Sequence, residues 1–282
     1  MRPGAAVVAF QGERGAYGEM AALRYFKNPK LMPMKSFREV FDAAERQDAD
    51  YAIVPVENSI EGSVNEVYDL LLETKKLQVS GEVYQRVRHC LIANPGTNRN
   101  RIRAVRSHPQ ALAQCRGYLQ KHKMEAIPAY DTAGAVKMIK ENGSTEAAAI
   151  ASKRAAELYG MQVLDEGIED RKNNYTRFLV LSPKKASSKR ARIPADFRTS
   201  IIFSVKHLPG ALFGIVGEFA LRKINLTKIE SRPTKETPWE YNFFVDFEGH
   251  ADERHVREAL RAIRSRALYV KVLGSYRKAD FD

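Results

Sequence analysis

The chain has 282 residues, 44% of them hydrophobic and 28% charged, which is enough for a substantial core and for two domains. Its formal net charge of +12 is concentrated in two places: Lys184, Lys185, Lys189, Arg190 and Arg192 crowd one stretch, and Arg254, Arg257, Arg261, Arg264 and Arg266 are mixed with Glu253 and Glu258. With no aromatic-interleaved basic stripe and no apolar run near the about 18 residues of a membrane span, nucleic-acid and membrane partners are not expected, and a cytoplasmic protein that attracts small anions is.

Val7 to Phe10 predicts a first strand and not a signal peptide. The turn Gln11 to Gly18 follows, then a helix through Met20, Ala21, Leu23 and Phe26. Glycines at 12, 15 and 18 match neither a dinucleotide fingerprint nor a P-loop, so no nucleotide cofactor is expected. Ser36 with Glu39 forms a capping-box pattern ahead of Phe37, Val40, Phe41 and Ala44 at helical spacing. Asp50 to Glu57 predicts a buried strand that ends in the polar cluster Glu57-Asn58-Ser59, and Ser63 with Glu66 opens another helix.

The same pattern recurs. Val83, Val87 and Leu91 predict a strand running through His89, and Ile102 to Val105 another, ahead of Ser107-His108-Pro109 and a helix. Tyr130-Asp131-Thr132-Ala133 opens a helix that Gly143 can close, and Ala147 to Ala151 leads into Ser152 as a helix cap. Strands that feed polar turns and helix starts predict an α/β sheet with an anion site outside the strand ends. Cys90 and Cys115 have no metal-type spacing and read as reduced, buried thiols; no metal is expected.

Asn173-Asn-Tyr-Thr-Arg-Phe-Leu-Val-Leu181 then predicts a buried strand with Thr176 and Arg177 at its mouth. A planar guanidinium beside a short hydroxyl suits a carboxylate-bearing substrate. A basic linker leads to a C-terminal βαββαβ pattern, from the strand Ser200 to Val205 to the strand Leu268 to Leu273.

These residues name a family. Ala9-Phe-Gln-Gly-Glu-Arg-Gly15, Val54-Pro-Val-Glu-Asn-Ser59, Ser107-His-Pro-Gln-Ala111, Asp131-Thr-Ala133 and Asn174-Tyr-Thr-Arg-Phe178, followed by Gly210-Ala-Leu-Phe213 and Glu230-Ser-Arg-Pro233, resemble prephenate dehydratase with a C-terminal ACT regulatory domain. The resemblance implies a two-lobed, periplasmic-binding-protein-like (type II) catalytic domain over residues 1–182, a linker over 183–198 and a ferredoxin-like ACT domain over 199–282. It implies conversion of prephenate to phenylpyruvate for phenylalanine biosynthesis, without a cofactor, by a cytoplasmic homo-dimer or tetramer joined through its ACT domains. Thr176 is expected to assist departure of the hydroxyl and Arg177 to clamp a carboxylate, with Asn58, Ser59, Ser107, His108, Thr132, Ser152 and Phe178 contacting substrate. L-Phenylalanine is expected as effector at Gly210, Ala211, Leu212, Phe213, Glu230, Ser231, Arg232 and Pro233. Relatives often carry a hydroxyl residue where this chain has Ala16, so that loop would act through its backbone. No mutase helix bundle precedes Met1, so a fused mutase is not expected. Arogenate dehydratase is the alternative; a non-catalytic ligand-binding protein and an RNA-binding module are more distant ones.

Overall fold

Short β-branched and apolar runs separated by glycine and capped helix starts fold as alternating strands and helices. The computed structural model describes residues 5–184, 196–234 and 239–281. In chain order they form β1 (Val7–Gln11), α1 (Tyr17–Tyr25), β2 (Lys30–Met34), α2 (Phe37–Glu45), β3 (Tyr51–Asn58), β4 (Gly62–Ser63), α3 (Asn65–Glu73), β5 (Leu77–Arg86) and β6 (Cys90–Ala93). Next come β7 (Ala104–Ser107), α4 (Pro109–Gln114), α5 (Arg116–Lys121), β8 (Glu125–Pro128), α6 (Thr132–Asn142), β9 (Ala147–Ala151), α7 (Lys153–Tyr159), β10 (Gln162–Glu166) and β11 (Tyr175–Pro183). The C-terminal part contributes β12 (Phe197–Ser204), α8 (Ala211–Ala220), β13 (Leu226–Pro233), β14 (Tyr241–Glu248), α9 (Arg254–Arg266) and β15 (Tyr269–Arg277). Residues 185–195 of the expected linker lie outside the described residues.

The chain divides into two units, Met1–Asn65 with Val83–Phe178, and Glu66–Glu82 with Leu179–Asp282. Two sheets organise residues 5–184. One has the strand order β2-β1-β3-β11-β5, with β1 parallel to both β2 and β3; the other has the order β10-β6-β9-β7-β8. Each sheet with its helices forms one lobe of an α/β fold. The chain crosses between the sheets twice, at Val87 to His89 and at Gly167 to Asn174. The crossings are tied together by Val87 N–H to the Asn174 carbonyl (2.8 Å) and Gly167 N–H to the His89 carbonyl (2.8 Å). The strand expected to run through His89 therefore stops at Arg86 and resumes at Cys90 in the other sheet. β2 was not legible in the sequence because Pro33 reads as a breaker; as an edge strand it tolerates the missing N–H.

In the first lobe, Val8, Ala9, Phe10, Ala21, Val40, Phe41 and Ile53 are fully or almost fully buried between sheet and helices. α2 starts where its cap predicts: Ser36 Oγ accepts from Glu39 N–H at 3.2 Å. The second lobe packs Leu91, Ile102, Val105, Leu119, Ala148 and Ile150 with Cys115 in one core, and Cys90 is buried as well. Burial pushes the Cys90 thiol up to about 11, so it is an inert protonated core residue.

The second unit contains a ferredoxin-like sheet in the order β13-β14-β12-β15. α8 and α9 cover one face, with Ile201, Phe203, Ile215, Phe219, Phe247 and Leu260 in the core between them. The opposite face meets α3. Tyr68 packs edge-on to Phe244, with ring centroids 4.8 Å apart, Arg232 pairs with Asp69 at 3.4 Å, and the Lys271 ammonium donates to the carbonyls of Leu71 and Leu72 at 2.8 Å each. A cation on the last turn of a helix satisfies carbonyls that lack intrahelical partners.

Candidate active site

The site is built where β3 ends and β11 begins. Ser59 ties the two together: its N–H donates to the Tyr175 carbonyl (2.8 Å), its hydroxyl donates to the Asn173 carbonyl (2.9 Å), and the same oxygen accepts from Tyr175 N–H (3.0 Å). Asn58 is buried one residue earlier, and its amide orientation is fixed by backbone. Oδ1 accepts from the N–H groups of Ile60 (2.9 Å) and Glu61 (3.0 Å), so Nδ2 faces the other way. Nδ2 donates to Asn174 Oδ1 at 2.7 Å and to Thr176 Oγ1 at 3.0 Å.

The chain of amides continues into the second lobe. Asn174 spends its Oδ1 on Asn58, so its Nδ2 donates onward to Gln114 Oε1 at 2.9 Å, and the same oxygen lies 2.9 Å from His89 Nε2. His89 Nδ1 is 3.1 Å from the Tyr17 hydroxyl, whose single proton also has the Arg88 carbonyl within reach at 2.9 Å. His89 is buried, and its backbone N–H donates to the buried Glu169 carboxylate at 2.9 Å. Burial pushes the imidazole pKa below its ordinary value; the Gln114 hydrogen bond and the Glu169 charge act in the opposite direction.

Thr176 is 9% exposed and Arg177 6%, so both are buried at the mouth of β11, and Phe178 is buried behind them. Successive residues of a strand project to opposite faces, so the hydroxyl and the guanidinium leave β11 on different sides. The other sequence candidates have visible local duties. Ser107 is fully buried and donates to the Ile150 carbonyl at 2.6 Å. His108 caps α4, its Nδ1 accepting from Gln110 N–H at 3.3 Å. Thr132 is the first residue of α6, whose cap is the Asp131 carboxylate on Gly134 N–H.

Ser152 has a further partner. Besides accepting from Ala155 N–H at 3.1 Å, it donates to the Gly15 carbonyl of the first glycine loop at 2.6 Å. Gly15 has φ +92°, and a Cβ there would sit 2.7 Å from Ala155 Cα. The loop thus lies against the start of α7 backbone to backbone, as a glycine without a ligand-shaped gap would. The fully buried Glu19 secures it, accepting from Gly15 N–H at 2.8 Å and from Arg154 Nε at 2.9 Å.

Sequence reasoning did not single out Gln114, His89, Tyr17, Glu19 or Arg154 as members of the site. Asn174 was visible only as part of a motif. Among the described residues, no group of three or more His, Cys, Asp or Glu side chains could hold a metal ion, and no helix is long and apolar enough to cross a membrane.

Residues 8–186 match the family model described as prephenate dehydratase, and residues 199–265 match that of the ACT domain. Arogenate dehydratase/prephenate dehydratase 2 of Arabidopsis thaliana is 44% identical over 278 residues, covering 95% of this chain and 72% of the relative. A prephenate dehydratase of Methanocaldococcus jannaschii is 40% identical over 268 residues, covering 93% and 95%. Among solved structures, a prephenate dehydratase from Arthrobacter aurescens in complex with L-Phe has a TM-score of 0.87 at 29% identity, covering 96% of this chain and 90% of that one. A chain described as GqqA, a novel type of quorum quenching acylase, has a TM-score of 0.89 at 33% identity, covering 97% and 98%.

Proposed function

This chain belongs to the prephenate dehydratase family, with an ACT domain, and on that premise we propose that its own substrate is prephenate and its product phenylpyruvate. The reaction breaks the bond from the ring to its carboxylate, moves that electron pair through the ring and expels the hydroxyl on the far side. Carbon dioxide and water leave, and the ring becomes aromatic, so the driving force is in the substrate. The protein must hold the side-chain carboxylate, leave the ring carboxylate poorly solvated, and meet the departing oxygen with a proton donor.

One observation carries the assignment of that donor. Because Asn58 Nδ2 donates to Thr176 Oγ1, the threonine oxygen is an acceptor toward Asn58 and its own proton can serve a bound substrate. A neutral alcohol is a poor acid, so Thr176 acts as a preorganised hydrogen-bond donor to the leaving hydroxyl and not as a full general acid. Arg177, always charged and buried one residue on, leaves β11 on the opposite face, so the clamp role expected of it requires the substrate carboxylate to reach around the start of the strand. Asn58 contributes by orienting Thr176, and the remaining candidates shape the pocket through the backbone groups they position.

Thr176→Ser and Thr176→Val separate the hydroxyl from the side-chain volume. The serine variant is expected to keep most of the turnover and the valine variant to lose roughly 10²–10³ in kcat, the range for removal of one transition-state hydrogen-bond donor. Near-normal turnover by the valine variant removes Thr176 from the mechanism.

Two other substrates follow from the relatives. Arogenate differs from prephenate in carrying an amine for the keto oxygen, remote from the leaving hydroxyl. An acylase reading, suggested by the GqqA likeness, requires a nucleophile activated by a base, whereas the partner of Thr176 Oγ1 is an amide N–H donor. The ACT motifs at Gly210 to Phe213 and Glu230 to Pro233 support L-phenylalanine as an allosteric effector of the same enzyme.

A further inference from the structure

A hydrogen-bond chain made of amides has a direction, and one end of this one is fixed by groups that cannot be flipped. The N–H groups of Ile60 and Glu61 can only donate, so Asn58 Oδ1 must face them and Asn58 Nδ2 must face Asn174 and Thr176. Asn174 must then present oxygen to Asn58 and nitrogen to Gln114, and Gln114 must present oxygen to both Asn174 and His89. An acceptor 2.9 Å from Nε2 requires a proton on that nitrogen. The neutral tautomer of a buried histidine is thus dictated through three amides by the turn that follows β3. The unprotonated Nδ1 is left facing the Tyr17 hydroxyl at 3.1 Å, which in this setting turns its single proton from the Arg88 carbonyl, 2.9 Å away, to the imidazole.

We propose that His89 is a positioning residue for the dehydration: held as the Nε2–H imidazole, it fixes the orientation of Gln114 and Asn174, and through them keeps Asn58 donating to Thr176. The hinge crossing between the two sheets is thereby linked to the reacting hydroxyl, because His89 sits in one crossing and Asn174 ends the other. If the imidazole proton moved to Nδ1, lone pairs would oppose each other at Nε2 and Gln114 Oε1. A rotation of the Gln114 amide would relieve that conflict but would set N–H against N–H at Asn174. The arrangement therefore has one low-energy setting, and that setting leaves the Thr176 proton free for substrate.

The proposal rests on the reading that Thr176 is the donor, and the test separates the two. Nitrogen-15 NMR of the wild-type protein, with the His89 resonances identified by their loss in His89→Gln, reads the tautomer directly. The expected result is a protonated Nε2 and a bare Nδ1. In kinetics with prephenate, His89→Met is expected to lower kcat by roughly tenfold with little change in KM, the scale of one neutral buried hydrogen bond. His89→Gln, whose side-chain amide reaches the position of Nε2, is expected to recover most of the loss, which a purely structural role would not produce. An Nδ1–H tautomer overturns the proposal, as does a wild-type kcat in His89→Met alongside an impaired Thr176→Val. A wild-type rate in Thr176→Val instead removes the underlying reading, and the proposal with it.

Discussion

The hydroxyl of Thr176 has one proton and two lone pairs, and the amide of Asn58 occupies a lone pair. The oxygen is thus an acceptor toward Asn58, and the role proposed for it uses the remaining proton toward a ligand. The same reasoning at His89 gives a pH prediction. Burial lowers its pKa below the unfolded value of about 6.5, so the folded state binds fewer protons than the unfolded chain below that pH. Its contribution to stability is complete above about pH 6.5 and is lost as the pH falls through the depressed folded value. Glu169, whose charge opposes the shift, and Tyr17, whose own pKa is pushed up by burial, are the titratable groups that face it. Melting temperature measured from pH 8 to 5 should fall more steeply for wild type than for His89→Gln; parallel curves would show that the imidazole is not protonated on unfolding. Thr176, Arg177, Asn58 and Ser59 stood out in the sequence because their types suit an anion and they lie in short motifs. His89, Gln114 and Tyr17 were not, because what identifies them is contact between residues 25 and 72 positions apart.

At the scale of elements, the glycine loop between β1 and α1 is set against the first turn of α7, and its geometry leaves no room for a side chain. Ser152 and Glu19 hold the two backbone groups of Gly15, one from each lobe. Gly15→Val should therefore cost about 1–3 kcal/mol from the left-handed φ alone, with more from the 2.7 Å approach to Ala155 Cα. A lowered melting temperature and a reduced kcat/KM are expected together; an unchanged melting temperature would mean that the loop does not pack on α7 in solution. The glycine spacing in the sequence excluded a nucleotide loop but gave no sign that the loop's partner was protein. The helix starts at Ser36 and Ser152 were readable because a cap is local, whereas the break of the expected strand at His89 was not, since the change of sheet leaves no mark in hydrophobic alternation.

For the molecule as a whole, the family match over residues 8–186 and the ACT match over 199–265 place a catalytic part and a regulatory part in one chain. The C-terminal βαββαβ order was legible because each of its elements is short, regular and bounded by turns; the grouping of α3 with that part was not, as it depends on side chains such as Asp69 and Lys271 meeting across sequence. In the regulatory part, Gly210 has φ +79° and precedes α8, with Phe213 largely exposed beyond it. Initial rates measured against added L-phenylalanine should fall in wild type and respond less in Gly210→Val, whose side chain cannot adopt that φ without strain; superimposable curves would place the effector elsewhere. The dehydration is measured with purified chain and one substrate at a time: phenylpyruvate is followed after prephenate, phenylalanine after arogenate, and the released acid after an acyl amide. Rapid phenylpyruvate formation from prephenate and slower phenylalanine formation from arogenate are expected; hydrolysis of the amide with no phenylpyruvate from prephenate would overturn the proposed reaction.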